Sequence, residues 1–250
     1  MSIADVINKA YLLETYLFGI RAVDDMGNPY PERIFTTQVA KAAAEVESET
    51  GLSLSLVTVA DERHDVLPND ASAGYMKALR RRPVRSVTRV ARMVGQQAVL
   101  NYPASWVQVR FADQGLVQIV PSLESLSMVS TSALAVSLPY MERAGYNAAA
   151  LAFDYVAGFD GTTSPYPAEV LDAVALLACA LFLDTAGDLI LGAGIASFSV
   201  SQDGQSTSIN STSSATNSGY GARAILYRKR ADALLASIRG RYRGLDVGVV

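Results

Sequence analysis

The residues able to do chemistry in this chain are few and scattered. A single histidine, His64, stands between Arg63 and Asp65. Serines are plentiful, so a Ser-His-Asp arrangement is formally available. A nucleophilic serine, however, normally sits in a strained turn such as G-x-S-x-G, and the sequence contains none. His64 is therefore expected to be a solvated loop residue. One cysteine, Cys179, lies inside the apolar run Ala173–Leu183. It cannot close an intrachain disulfide and reads as a small packed hydrophobe. One histidine and one cysteine far apart do not make a zinc site.

Phosphate and calcium chemistry fare no better. Gly192-Ala193-Gly194 resembles the opening of a G-x-G-x-x-G loop, but position 197 is serine and the preceding segment reads as helix rather than strand. Asp24, Asp25 and Asn28 are too few oxygen ligands at the wrong spacing for a calcium loop, and a turn is the better reading. Glu45, Glu47 and Glu49 are expected on an exposed helix face, where carboxylates are solvated. Two basic groups remain: Arg80-Arg81-Arg82 with Arg85, and the arginines of the last helix. The first reads as a solvated face or a donor of salt bridges between subunits, with contact to nucleic acid as the other reading. The second suits protein interfaces, where the guanidinium fork pairs with carboxylates. No cofactor and no metal site is expected, and no enzyme.

Composition sets the frame for these residues. Half of the 250 residues are hydrophobic, enough for a sizeable core, and the formal net charge is only −3. The N-terminus lacks a basic stretch followed by an apolar one, so no signal peptide is expected. Ala173–Leu183 stops at Asp184, short of the roughly 20 apolar residues of a membrane span. The expectation is a protein made in the cytoplasm.

The spacing predicts the following elements. Ile3, Val6, Ile7 and Ala10 indicate a short helix. A second helix starts at a Thr36 or Thr37 cap, carries Val39, Ala43, Val46 and Thr50 along one face, and stops at Gly51. Alternation through Leu52, Leu54 and Leu56 to Val57 and Val59 predicts a strand; residues 61–75 read as a loop and 76–82 as one helical turn. From Val84 to Pro121, turns at Gly95-Gln96, Asn101–Pro103 and Asp113–Gly115 separate β-rich stretches, which predicts a small antiparallel meander or barrel. Residues 122–145 carry no assignable pattern. Leu151, Phe153 and Tyr155 give another strand. Pro167 and Glu169 then open a helix, apolar on nearly every side through Leu183, that should be buried. Asp203-Gly204 is a favoured two-residue hairpin turn. Counting outward from it, Gln202 faces Gln205, Val200 faces Thr207 and Phe198 faces Ile209. Residues 211–221 form a Ser-rich loop, and a basic, amphipathic last helix begins near Ala222 and ends at Gly240 or Gly244.

The order of these segments resembles the head–tail connector, or adaptor, proteins of tailed bacteriophages. Three stretches carry the resemblance. The first is Tyr16-Leu17-Phe18-Gly19-Ile20 with Asp24–Pro29 and the helix ending at Gly51-Leu52. The second is Tyr155-Val156-Ala157-Gly158-Phe159 followed by the Pro167 helix with Ala173 and Leu176. The third is the hairpin within Gly192–Asn210, Tyr220, and a closing helix ending in Arg241-Tyr242-Arg243-Gly244. They cover about half to two-thirds of the chain at both ends. Pro83–Gly145 departs from the mostly helical pattern of simple connectors.

The resemblance together with the β-rich stretch that departs from it predicts an α+β fold with three parts: a helical connector core, an inserted antiparallel β-domain and a protruding β-hairpin. The core comprises N-terminal helices, a long buried helix after residue 166 and a C-terminal helix. Residues 1–82 and 158–250 would form the core, the latter with the hairpin 197–210 and an extended tail 244–250, and 83–157 the inserted domain. It further implies a virion protein, a dodecameric ring beneath the portal, bound to the portal on one side and to a neck or tail-terminator protein on the other. DNA would pass through without sequence-specific binding, and no membrane would be involved. The strand-prone tail Leu245-Asp246-Val247-Gly248-Val249-Val250 is suited to adding a strand to the portal. Phe198, Val200, Asp203, Gly204, Thr207 and Ile209 of the hairpin, with Arg239, Arg241 and Arg243, are the expected contacts with neighbouring subunits or the neck. Two other readings stand beside this one. A tail terminator is disfavoured by the long buried helix, and a serine hydrolase would need His64 as its base.

Overall fold

A computed structural model describes residues 2–20, 22–24, 26–68, 70, 75–120, 146–191, 197–202, 205–210 and 220–242. It is a mixed α+β structure in which N- and C-terminal helices pack together and two antiparallel sheets form separately. The chain divides into two compact units, Met1–Glu49 with Pro165–Ile238, and Thr50–Ser164 with Arg239–Val250.

The first unit is helical. Helices α1 (Ile3–Val6) and α2 (Lys9–Thr15) precede α3 (Glu32–Thr50), and α4 (Ala168–Leu191) and α5 (Gly221–Tyr242) as far as Ile238 complete it, the last turn of α5 belonging to the second unit. The α3 helix begins earlier than the Thr36/Thr37 cap expected from sequence. Pro31 stands just before its first turn, and both threonine hydroxyls donate back to the Glu32 and Arg33 carbonyls from within the helix. Its far end matches the sequence reading, with Gly51 at φ +73° just past the last turn. Phe35, Val39, Ala42 and Val46 form the buried stripe, and Phe35 stacks on Phe182 of α4 at 4.7 Å, with Tyr30 edge-on to the same ring at 5.6 Å.

From Val170 to Ala186, α4 is buried on most of its surface. The window Ala168–Gly187 is long and apolar enough to cross a membrane by length and composition, a longer stretch than Ala173–Leu183 alone suggests. Since 72% of it is buried within the structure, it serves here as a core helix. By contrast α5 buries a single stripe, Ala224, Tyr227, Ala231, Leu235 and Ile238, and leaves Lys229, Arg230 and Arg241 exposed.

The second unit is built from strands. A four-stranded sheet has the order β1 (Val57–Val66), β7 (Asn147–Ala157), β3 (Val84–Val94), β4 (Gln97–Asn101), and a three-stranded sheet the order β2 (Lys77–Ala78), β6 (Leu116–Ile119), β5 (Val107–Phe111). Both line one core that includes Tyr75, Leu79, Val90, Tyr102, Trp106, Val117, Ile119, Leu151, Phe153 and Tyr155.

Three expectations are corrected. Residues 61–66 are strand rather than loop, because β1 pairs with β7 along most of its length. Lys77–Ala78 pairs with β6 instead of forming a helical turn. The meander is split, since Tyr102 and Trp106 turn into the core around a short 3-10 turn at Ala104–Trp106. As a result β4 and β5 belong to different sheets, and β7 fills the place between β1 and β3. The sheet unit begins at Thr50. Residues 122–145, left unassigned above, lie outside the described residues.

Strands β8 (Ser197–Gln202) and β9 (Gln205–Asn210) form a separate two-stranded ribbon.

Candidate interaction surfaces

The hairpin has the register that its turn residues dictate. Gln202 pairs with Gln205, Val200 with Thr207 and Phe198 with Ile209, while Ser199/Ser208 and Ser201/Ser206 alternate with them. The turn residues Asp203 and Gly204 lie outside the described residues, as do Gly192, Ala193, Gly194, Arg243 and the tail Leu245, Asp246, Val247, Gly248, Val249 and Val250.

At the end of α5, Arg239 is half-buried and Arg241 is exposed, its guanidinium 5.7 Å from the centre of the Tyr242 ring. The Tyr242 carbonyl accepts a 2.7 Å hydrogen bond from Arg82 Nη1, and Arg82 Nε donates to the Leu79 carbonyl at 3.1 Å. Arg82 is thereby spent on holding the backbone together. Arg85 behaves similarly, donating to the Gly158 carbonyl at 2.7 Å and lying over the Phe159 ring at 5.3 Å. Arg80 and Arg81 are exposed. Their backbone N–H groups are held inward, Arg80 on Glu62 Oε1 (3.0 Å) and Arg81 on the Tyr155 hydroxyl (3.1 Å).

His64 is not a solvated loop residue. It lies on β1, its side chain is 16% exposed, and its Nε2 donates to Glu62 Oε1 at 2.7 Å. Its ring stands edge-on to Phe153 at 5.4 Å. Glu62 is itself buried and accepts on its other oxygen from the Tyr155 hydroxyl at 2.6 Å. Burial would raise the Glu62 carboxyl, but the hydrogen bonds from His64, Tyr155 and Arg80 outweigh it and hold its pKa below the ordinary value. Burial and the neighbouring carboxylate push the Tyr155 phenol well above its usual range. Every partner in this cluster is a backbone amide or a side chain already in use, so it fastens β1, β7 and residues 80–81 together. Sequence reasoning missed Glu62 and Tyr155, because only the β1–β7 pairing brings positions 62 and 155 together.

A second polar junction ties the helical unit. The Tyr16 hydroxyl donates to Asp172 Oδ1 of α4 at 2.6 Å, and its carbonyl accepts from Arg223 Nη2 of α5 at 2.8 Å and from the Tyr227 hydroxyl. Tyr16, the Pro167 helix and the closing helix belong to the three separate stretches on which the resemblance rests, and here they meet at one residue.

Asp24 behaves as a turn residue, its Oδ1 accepting from the N–H groups of Met26 (3.0 Å) and Asn28 (2.7 Å). Of the helical acids, Glu49 is exposed while Glu45 and Glu47 are half-buried. Cys179 is buried among apolar side chains, and that burial pushes its thiol pKa up to about 12. Among the described residues no group of three or more His, Cys, Asp or Glu could hold a metal ion.

No protein-family model and no curated protein matches the chain. The solved structures similar to it include three of gene transfer agent particles. One is a virion of the native gene transfer agent particle, 16% identical with a TM-score of 0.40, covering 86% of this chain and 81% of that one. Another is the neck of the empty gene transfer agent particle computed with C6 symmetry, 19% identical with a TM-score of 0.34, covering 60% of this chain. The third is the neck of the native particle computed with C12 symmetry, 17% identical, also with a TM-score of 0.34, covering 58% of this chain. This chain spans 66% and 67% of those two neck chains. Likeness at this level carries no argument about function.

Proposed function

We propose that this chain is a structural protein of the neck of a phage-like particle and, more specifically, a subunit of a ring beneath the portal that joins capsid to tail and lets DNA pass. The observation that supports the reading is the junction at Tyr16, which gathers the three resemblance-bearing stretches into one helical unit. The hairpin's register agrees with the same reading. In this role the chain works by fitting against copies of itself, against the portal and against a neck or tail-terminator protein, and it catalyses nothing. A heterologous contact repeated around an axis closes a ring when the rotation per subunit divides the circle.

Light scattering of the purified chain, alone and with its particle's portal protein, tests the proposal. Association into a species of ring mass is expected, and a chain that stays monomeric at every concentration in both conditions overturns it. Deleting residues 245–250 is expected to weaken portal attachment while leaving the subunit folded. Unchanged attachment removes the tail from the portal contact.

A further inference from the structure

The two compact units carry opposite charge. The first holds 8 Lys and Arg against 14 Asp and Glu, a net of −6, and the second holds 13 against 10, a net of +3, which together give the chain's −3. Of the second unit's 13 basic residues, 12 are arginines and only Lys77 is a lysine.

The basic excess has a built centre. Arg80, Arg81 and Arg82 are consecutive, and their backbone is pinned on three sides. Glu62 and Tyr155 take the N–H groups of Arg80 and Arg81, and the Arg82 carbonyl accepts from Ser53 N at 2.7 Å. Arg82 then reaches the last turn of α5, where Arg241 lies against Tyr242. Arg80 and Arg81 make no side-chain hydrogen bond or ion pair among the described residues, and both are exposed. A solvated charge run does not require such fixing, whereas a recognition surface gains from it, because a backbone already held in place loses less entropy on binding. Arginine's planar fork also suits carboxylate partners.

We infer that Arg80 and Arg81, with Arg241 at the helix end held by Arg82, form the basic half of a contact whose acidic half is the helical unit of a second copy of this chain. A unit at +3 and a unit at −6 on the same polypeptide are complementary in a head-to-tail arrangement and repulsive when like meets like, so charge selects the orientation that propagates around an axis. Nucleic acid is the less suited occupant, because the whole chain is net negative and repels a polyphosphate at long range, while its −6 unit draws the basic patch. The inference rests on the self-assembly proposed above.

The experiment uses the full chain with the double substitution Arg80→Glu and Arg81→Glu, its fold checked by circular dichroism, and sedimentation velocity at about 50 and 300 mM NaCl, where screening lengths differ by more than twofold. Wild type is expected to assemble, and less readily at high salt. The variant is expected to assemble at least about tenfold more weakly and to lose most of that salt dependence. Arg241→Glu provides a second variant should the first fail to fold, with a smaller loss in the same direction. Variants that assemble as wild type does overturn this inference and leave the ring reading standing; a wild type that never assembles, alone or with portal, overturns both. Binding of a double-stranded DNA fragment that the substitutions abolish, with assembly unchanged, assigns the patch to nucleic acid and also overturns the inference.

Discussion

The helical unit and the sheet unit satisfy their backbones by different means. In α3, α4 and α5 the amides past the first turn find their partners four residues back, so the sequence needs mainly to supply an apolar surface, and side chains add polar contacts at a few points such as Tyr16. The sheet unit is irregular. Its β1–β7 pairing shifts register twice, with Asp61 at φ +55° and Ala149 at φ +50° at the shifts. At each shift a carboxylate supplies what the ladder lacks, since Asp154 accepts from Asp61 N at 2.6 Å and Asp65 from Ala149 N at 2.7 Å. Past the end of β7, Asp160 accepts from the Thr163 hydroxyl and from the N–H groups of Ser164 and Thr162, which holds its carboxyl far below the ordinary range. The difference teaches that the helical unit depends mostly on apolar burial and the sheet unit on particular carboxylates and one glycine.

Four measurements can break or sharpen this contrast. The largest effect concerns Cys179. With a pKa near 12, about one thiol in ten thousand is ionised at pH 8, against roughly one in ten in unfolded chain, so labelling by a disulfide reagent is expected to be slower in the native chain by about three orders of magnitude. Rapid labelling of the native chain would show that α4 is not the closed centre of its unit.

Next is Gly158→Ala. Gly158 has φ +110°, and an added Cβ would lie 2.0 Å from the Ser55 carbonyl oxygen, a backbone atom that cannot step aside. A loss of about 4 kcal/mol or failure to fold is expected in chemical denaturation; a loss under about 1 kcal/mol contradicts the close approach.

Glu62→Ala removes the acceptor of two side chains and one amide in a buried place, and about 3 kcal/mol is expected. Because the Glu62 pKa is lower in the folded state, its stabilisation is fully present above the unfolded carboxyl value and is lost as pH falls through the folded one. Unfolding free energy is therefore expected to fall in acid, less steeply in Glu62→Gln. Identical acid limbs in the two proteins contradict the assignment.

The smallest effect is expected from Tyr16→Phe, which deletes one hydroxyl–carboxylate hydrogen bond and should cost about 1 kcal/mol in thermal or denaturant unfolding. A loss as large as that of Glu62→Ala would erase the contrast between the units.

Legibility in the sequence follows the same division. Periodicity places α3 to within a few residues, α4 at its opening and α5 almost entirely, because an apolar stripe is a local signal. The hairpin register is legible too, since Asp203-Gly204 and the alternation of Phe198, Val200, Thr207 and Ile209 agree independently. Strand order is not local. Nothing near residue 151 announces that β7 lies between β1 and β3, and for that reason His64 reads as a loop residue and Glu62 attracts no notice. The arginines are legible as a run, but which of them are spent inside depends on contacts spanning 73 residues for Arg85 and 160 for Arg82.

Imaging the neck of the assembled particle by electron microscopy tests the central claim most directly. The account predicts repeated copies of this chain in a closed ring between portal and tail, each with its basic patch against the helical unit of the next. A complete neck that joins capsid to tail with no copy of this chain in it would contradict the account.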